Sequence, residues 1–317
     1  MATSSHITPD PQVSKQKTPL TQVFINSELA SQYLELCKPK VVFVMLITAW
    51  VGMLLALTGL PSLLQLSHML LASIGITLCA SSSAVVNHVV DQWRDQKMQR
   101  TQHRPIAKGK ISRQQAMIFA ALLLIVGCTC LAYVNLVCLI LTLCATIGYA
   151  ILYTLVLKPI TPQNITIGGI AGALPPLLGW TAVSPEITAH ALLLVLIIFT
   201  WTPPHFWALA LYRVKDYQKA EVPMLPVTHG QEFTRLHILL YSVLLVLVTA
   251  LPWLSQFSSW LYLVAISYLN LRFLSLAWRL YSNKSMSTAQ QLFRYSIVYL
   301  LGLFLAILAD RMVFFWV

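Results

Sequence analysis

Asn87, Asp91 and Asp95 stand four residues apart in the run Asn87-His-Val-Val-Asp91-Gln-Trp-Arg-Asp95, where a very apolar segment meets a very basic one. On an α-helix this spacing returns to one face roughly every turn, giving a ladder of oxygen ligands ~12 Å long at ~1.5 Å per residue. Hard oxygen donors suit Mg²⁺, which usually takes one or two carboxylates and completes its shell with water and substrate phosphate oxygens. Arg100 and Arg104 follow, again one turn apart. Their planar guanidinium forks match phosphate oxygens bidentately. Metal ligands and anion ligands this close together, at a membrane boundary, fit the ionisation of a lipid diphosphate. The metal neutralises the leaving group while the cations hold it.

A second, weaker constellation follows the run Trp201-Thr-Pro-Pro-His205-Phe-Trp207. Tyr212 and Asp216 repeat the four-residue spacing with a phenol in place of one carboxylate, flanked by Arg213 and Lys215. Asp216 is a candidate ligand for a second Mg²⁺, and Arg213 and Lys215 are candidates for phosphate. Taken alone, this cluster is explained better by an ordinary solvated loop of mixed charge, and it gains value only facing the first ladder. Among the eight histidines, His205 is the best placed to meet a substrate. No HxxxH or HExxH spacing marks a zinc hydrolase.

Positioning these groups requires a membrane. Of the 317 residues 57% are hydrophobic and 10% charged, against about 25% charged in soluble domains. Apolar runs predict an all-α, polytopic bundle of about nine transmembrane helices over 41–60, 66–88, 115–133, 136–157, 164–182, 187–211, 236–255, 258–281 and 289–313. Every lysine and arginine except Arg311 falls in the N-terminal segment or around alternate connections. By the positive-inside rule the N-terminus and both polar loops are cytoplasmic, and the C-terminus lies outside. The +11 net charge therefore reads as topology, and no nucleic-acid motif accompanies it.

Residues 1–30 read as a polar, disordered cytoplasmic lead-in with no secretory signal, and 31–317 as one membrane domain. The six cysteines form no CxxC pair and read as packing residues. The helices keep their ionisable groups near their ends, which argues against a transport pathway. Pro175-Pro176 should bend the fifth helix, and Gly168 with Gly172 should let it approach a neighbour closely.

The chain resembles the intramembrane aromatic prenyltransferase superfamily and, within it, the protohaem IX farnesyltransferases (haem O synthases). The resemblance rests on Asn87–Asp91–Asp95 with Met98-x-Arg100-Thr101-x-x-Arg104-Pro105, and on Thr161 to Trp180 with Asn164, Gly168, Gly169 and Gly179. It rests also on Trp201-Thr-Pro-Pro-His205-Phe-Trp207, on Asp216-Tyr217 with Pro223-Met-Leu-Pro226-Val-Thr-His-Gly230, and on Leu36-Cys-Lys38-Pro39-Lys40. It covers the chain from residue 31 onward.

The resemblance implies a nine-helix bundle around a central cavity in a bacterial inner membrane. It implies Mg²⁺ as cofactor, farnesyl diphosphate and haem B as substrates, and haem A synthase as a partner. It also implies the reaction, farnesyl transfer to a haem vinyl group with water addition, giving haem O for haem-copper oxidases. By position, Asn87, Asp91, Asp95 and Asp216 would hold metal, with Arg100, Arg104 and Lys215 on diphosphate and Tyr212 positioning or shielding. Superfamily members acting on phenolic acids carry a fuller second ladder; here position 212 is Tyr and position 208 is Ala, which puts a symmetric two-metal site in doubt. The competing readings are a prenyltransferase acting on a quinone precursor or chlorophyllide, and a non-catalytic haem-binding membrane protein.

Overall fold

The computed structural model describes residues 19–314, with side chains from residue 27 onward. The described residues are helical, with no strand among them. Among the described residues eight helices are long and apolar enough to cross a membrane, or nine when a bent pair is counted as one span.

That pair corrects the expected N-terminal boundary. Residues 1–18 lie outside the described residues, but 19–30, expected to be disordered, belong to helix α1 (Pro19–Leu36). No Pro or Gly interrupts residues 20–36, so nothing local stops a helix there. Its far end is pinned to the body of the protein: Tyr33 meets Phe119 edge-on at 4.9 Å, and Glu28 pairs with Lys110 at 2.9 Å.

Helix α2 (Pro39–Leu55) has 17 residues, which at ~1.5 Å each falls short of a ~30 Å hydrocarbon core. With Ser27–Leu36 it forms a pair bent by 54°, apolar enough together for one span. The bend has a local cause. Pro39 disfavours the right-handed helical region for the residue before it, and Lys38 instead takes φ 50° and ψ 55°. For a non-glycine residue that left-handed conformation costs roughly 1–2 kcal/mol.

Helix α3 (Leu63–Val90) starts at a Ser62–Gln65 capping box and α5 (Arg113–Ala132) at a Ser112–Gln115 one, with the short α4 (Gln92–Lys97) between them. The sixth element runs as one span, Leu136–Ile160. It begins as α6 (Leu136–Ile147), widens into a π-helix over Gly148–Leu157, and closes as α7 (Lys158–Ile160). The expected break at residues 133–135 lies between α5 and α6 as anticipated, with Asn135 capping α6.

The prolines at 175 and 176 interrupt the next span rather than turning it sharply. Helices α8 (Asn164–Ala173) and α9 (Pro175–Val183) run on as one span, Asn164–Val183. The reason is that Pro175 and Pro176 occupy the first turn of α9, where a missing N–H costs least. What α9 gains is intimacy with α2. A Cβ on Gly52 would lie 2.0 Å from the Pro176 carbonyl oxygen, and one on Gly179 would lie 1.9 Å from that of Ala49. Of the expected glycine pair, Gly168 clears the Tyr153 ring (2.3 Å to an added Cβ), whereas Gly172 faces open space.

Helix α10 (Ala189–Tyr212) continues unbroken through Pro203 and Pro204. The short α11 (Val214–Lys219) and α12 (Leu225–Thr228) form the second polar loop. Helices α13 (Gly230–Leu254), α14 (Trp260–Asn283) and α15 (Met286–Phe314) complete the bundle, and α15 packs on α2 to close the ring. The most apolar stretches of α3, α8–α9 and α10 are 61–72% buried, against 22–33% for the outer spans. The inner three therefore form the centre of the bundle, and outward leucines such as Leu122, Leu247 and Leu271 face acyl chains.

Candidate active site

Helix α3 extends two residues beyond Asn87's neighbour His88 and ends at Val90, so Asn87 sits in its last turn. Asp91 is the pivot between α3 and α4, and its N–H still bonds the Asn87 carbonyl at 2.9 Å. Asp95 continues the ladder through its N–H to the Asp91 carbonyl at 2.8 Å. The three side chains are buried, between 1% and 4% exposed. Carboxylates rarely reach that depth unpaired, and here each is held by cations.

Asp91 takes Arg94 on one oxygen at 3.3 Å and Lys158 on the other. Arg104 spans both oxygens of Asp95 at 3.0 and 2.8 Å. Asn87 donates to Asp91 at 2.9 Å and to Thr154 at 3.2 Å, while its carbonyl oxygen accepts from Lys38 at 2.5 Å. The left-handed backbone at Lys38 is what aims its ammonium inward, where it also reaches the Tyr149 hydroxyl at 3.3 Å.

The π-helix supplies the opposite wall. Its wider turn lets the Thr154 hydroxyl donate to the Tyr149 carbonyl five residues back at 2.8 Å, and it stacks Tyr149 on Tyr153 at 5.4 Å. Such π turns are uncommon and cluster at functional sites.

Arg100 is exposed and makes no ion pair among the described residues. Counting it with Lys38, Arg94, Arg104 and Lys158 puts five cations around two carboxylates. The excess positive charge makes the site a receiver of oxyanions.

The second polar loop closes over the first through an apolar plug in which Met98 packs with Tyr217, Val222 and Met224. Lys97 and Glu221 tie the rim at 2.8 Å, and the hydrogen bond from Lys97 holds the Glu221 carboxyl below the usual carboxylate range. Glu221 itself sits at φ 55°. Burial pushes the Tyr217 phenol up, and nearby Arg100 draws it back.

Asp216 does not join the ladder by any hydrogen bond or ion pair among the described residues. Among the described residues its ion-pair partner is Arg213, loosely, at 3.6 Å from Oδ2, and that buried oxygen takes no hydrogen bond. Tyr212, Arg213, Lys215 and Asp216 share a pocket of about 340 Å³, with Lys215 exposed.

Among the described residues no three His, Cys, Asp or Glu side chains gather closely enough to hold a metal alone. That arrangement fits Mg²⁺ arriving with phosphate, which needs only one or two protein carboxylates. Asp91, Asp95 and Asn87 are the donors present for it, and Asp216, held by one long ion pair, is a further one.

The model of the UbiA prenyltransferase family matches residues 45–308. The chain belongs to that family. It is a multi-pass membrane enzyme of prenyl transfer, like the other UbiA-family proteins. A Leptothrix cholodnii protein named protoheme IX farnesyltransferase is 53% identical over 281 residues, 88% of this chain and 92% of that one. Namesakes from Teredinibacter turnerae and Legionella pneumophila are each 53% identical, over 89% and 88% of this chain and 90% and 94% of theirs.

Solved UbiA-type structures share the fold at low identity. One described as a digeranylgeranylglyceryl phosphate synthase has a TM-score of 0.74 and 22% identity, covering 90% of this chain and 99% of its own. A UbiA homolog from Archaeoglobus fulgidus, bound to GPP and Mg²⁺, has a TM-score of 0.59 and 18% identity, covering 87% and 99%.

Among the residues singled out in the sequence, Asn87 and Asp91 form one side-chain group and Asp95 and Arg104 another, adjacent on the ladder. His205 lies elsewhere. It is buried in the seam between α10 and α15, stacked on Trp201 at 4.3 Å and on Phe293 at 4.7 Å, with Nδ1 bonded to Ser296 at 2.6 Å. The residues that sequence reasoning passed over are Lys38, Lys158 and the Tyr149–Thr154 face, because the lysines were counted as topological charges. A signal was present: both lysines immediately precede a proline at the boundary of an apolar run, Lys38-Pro39 where one begins and Lys158-Pro159 where one ends.

Proposed function

We propose that this UbiA-family enzyme transfers the farnesyl group of farnesyl diphosphate to a vinyl group of haem B, with Mg²⁺, giving haem O and diphosphate. The observation that carries the acceptor is the 53% identity, over nearly nine-tenths of the chain, to proteins named protoheme IX farnesyltransferase. The fold alone does not choose it, since structures with other acceptors share it.

In this reading Lys38, Lys158, Arg100 and Arg104 bind the diphosphate, and Asn87, Asp91 and Asp95 hold Mg²⁺ against it, with Asp216 as a further ligand. When bound, the metal neutralises charge on the leaving oxygens as the bond breaks. The allylic C–O bond breaks heterolytically and its electron pair leaves with diphosphate. The vinyl π pair then bonds the allylic carbon, water captures the resulting cation beside the ring, and a proton is released. Tyr149, Tyr153 and Tyr217, closed over by the Met98 plug, keep water from the allylic cation before the vinyl group reaches it. Lys38 and Lys158, already within hydrogen-bond reach of ladder oxygens, stabilise the departing charge.

The membrane is the bacterial inner membrane, with both polar loops cytoplasmic by the positive-inside rule, and the product passes to haem A synthase for haem-copper oxidase assembly. The test is incubation of purified protein with haem B, farnesyl diphosphate and Mg²⁺, followed by mass spectrometry of the extracted haem. A hydroxyethylfarnesyl haem that disappears with EDTA supports the reaction. Unchanged haem, from protein shown to be folded, rejects the acceptor.

A further inference from the structure

The described histidines separate by setting. His88 is closed in beside the ladder, His205 is bonded to Ser296, and His103 lies in the loop after α4. His68 and His190 stand near the starts of α3 and α10, at the end of the bundle away from the polar loops. His229 and His237 remain. His229 directly precedes α13, and His237 follows on the same helix, about 12 Å further along at ~1.5 Å per residue. Phe233 lies between them, stacked on His229 at 5.2 Å and meeting His237 at 4.0 Å.

The depth and orientation of His237 suit a ligand that arrives through the bilayer. Helix α13 has 25 residues, ~37 Å at ~1.5 Å each, against a hydrocarbon core of ~30 Å. Its first turns therefore lie among the headgroups on the side of the polar loops, and His237 lies where headgroups give way to acyl chains. The ring is half-buried, edge-on to Trp207 at 6.1 Å. Its Nδ1 donates to the Phe233 carbonyl at 2.9 Å, and no hydrogen bond among the described residues occupies Nε2. An imidazole held through one nitrogen by a backbone carbonyl offers the other as a metal ligand. Around it Phe233, Leu236 and Leu240 are exposed on the face turned to lipid. An apolar surface carrying one oriented nitrogen base matches a planar iron porphyrin, whose iron takes an axial histidine.

We propose that incoming haem docks on this face of α13 before it enters the reaction, with His237 Nε2 as axial ligand to the iron. The macrocycle rests on Phe233, Leu236 and Leu240, and the propionates turn up toward His229 and the headgroups. This rests on the reading of haem as the acceptor. The second polar loop runs straight into α13, so the docked haem waits at the root of the arm that closes over the ladder.

The experiment uses the full chain in phosphatidylcholine nanodiscs without farnesyl diphosphate, with empty discs as blank. Haem B and metal-free protoporphyrin IX are titrated by absorption, and the iron–histidine stretch of reduced haem is followed by resonance Raman. Wild type should bind haem more tightly than protoporphyrin IX and show the stretch. His237→Gly should lose the stretch and weaken haem binding about ten- to a hundred-fold, the scale of disturbing a metal ligand's support, with protoporphyrin IX binding unaltered. Added imidazole should restore haem binding to that variant, which separates ligation from a packing defect. Equal wild-type affinity for the two porphyrins overturns the proposal, as does a stretch unaltered in His237→Gly or a loss that imidazole does not restore. Haem O made by protein whose haem lacks His237 ligation rejects the docking site alone. His237-ligated haem in protein that makes no haem O rejects the acceptor reading alone.

Discussion

The two polar loops carry the same four-residue spacing and have opposite character. In the first, Asn87, Asp91 and Asp95 are buried and braced by Lys38, Arg94, Arg104 and Lys158. In the second, Asp216 is half-buried, and its Oδ2 meets Arg213 only at 3.6 Å, without a hydrogen bond. A buried carboxylate without its cations would be expelled or protonated, whereas a partly wetted one is held by solvent. The first loop is therefore a preassembled charge network, and the second a looser arm that closes over it.

Breaking the preassembled side should cost most. Asp91→Asn removes the charge that Arg94 and Lys158 share, and should lower kcat about 10²–10³-fold with the helical content unchanged. Product haem is quantified by mass spectrometry and folding by circular dichroism. Near-normal turnover would remove Asp91 from the metal and phosphate assignment.

Lys158→Met comes next. One charged hydrogen bond is worth roughly 1.5–3 kcal/mol, so kcat/KM for farnesyl diphosphate should fall about ten- to a hundred-fold. The fall should lie in kcat if the lysine acts on departing diphosphate, and in KM if it only binds the donor. Asp216→Asn, on the looser arm, should cost about ten-fold, the scale of one ordinary hydrogen bond. An effect as large as that of Asp91→Asn would mean the arms are equivalent, and the contrast drawn between them would fail.

The smallest effect belongs to the rim. The folded-state pKa of Glu221 is depressed by Lys97, so the latch contributes above the ordinary carboxylate pKa and is lost as pH falls through the lower folded value. Amide exchange at residues 219–224 should quicken over that interval in wild type and show no such step in Glu221→Gln. Identical pH profiles would leave the latch without a role in closure.

Much of this was legible in the chain. The ladder, its arginines and its place at a membrane boundary follow from residue type and a period of four. The helix count follows from apolar length, and the break before Leu136 from Asn135. The Asp216 arm was legible in kind but not in strength, since spacing alone does not report which carboxylate will be paired. The setting of His205 was not legible, because a histidine beside aromatic residues reads alike in a cavity wall and in a packed seam. The N-terminal segment misled because its polarity resembles disorder, and only docking through Tyr33, Phe119, Glu28 and Lys110 makes residues 27–36 part of the domain.

What the sequence determined by itself is local. Hydrophobic length sets the spans, helical period sets the ladder, and Lys-Pro sets the elbow, because each depends on neighbours within a few residues. Tertiary structure alone decided which cations serve which anions. Lys38 reaches Asn87 across 49 positions and Lys158 reaches Asp91 across 67. Pairings at such separations are fixed by how helices pack, through contacts as close as Gly52 on Pro176 and Gly179 on Ala49. Charge energies depend steeply on the distance and burial that this packing sets.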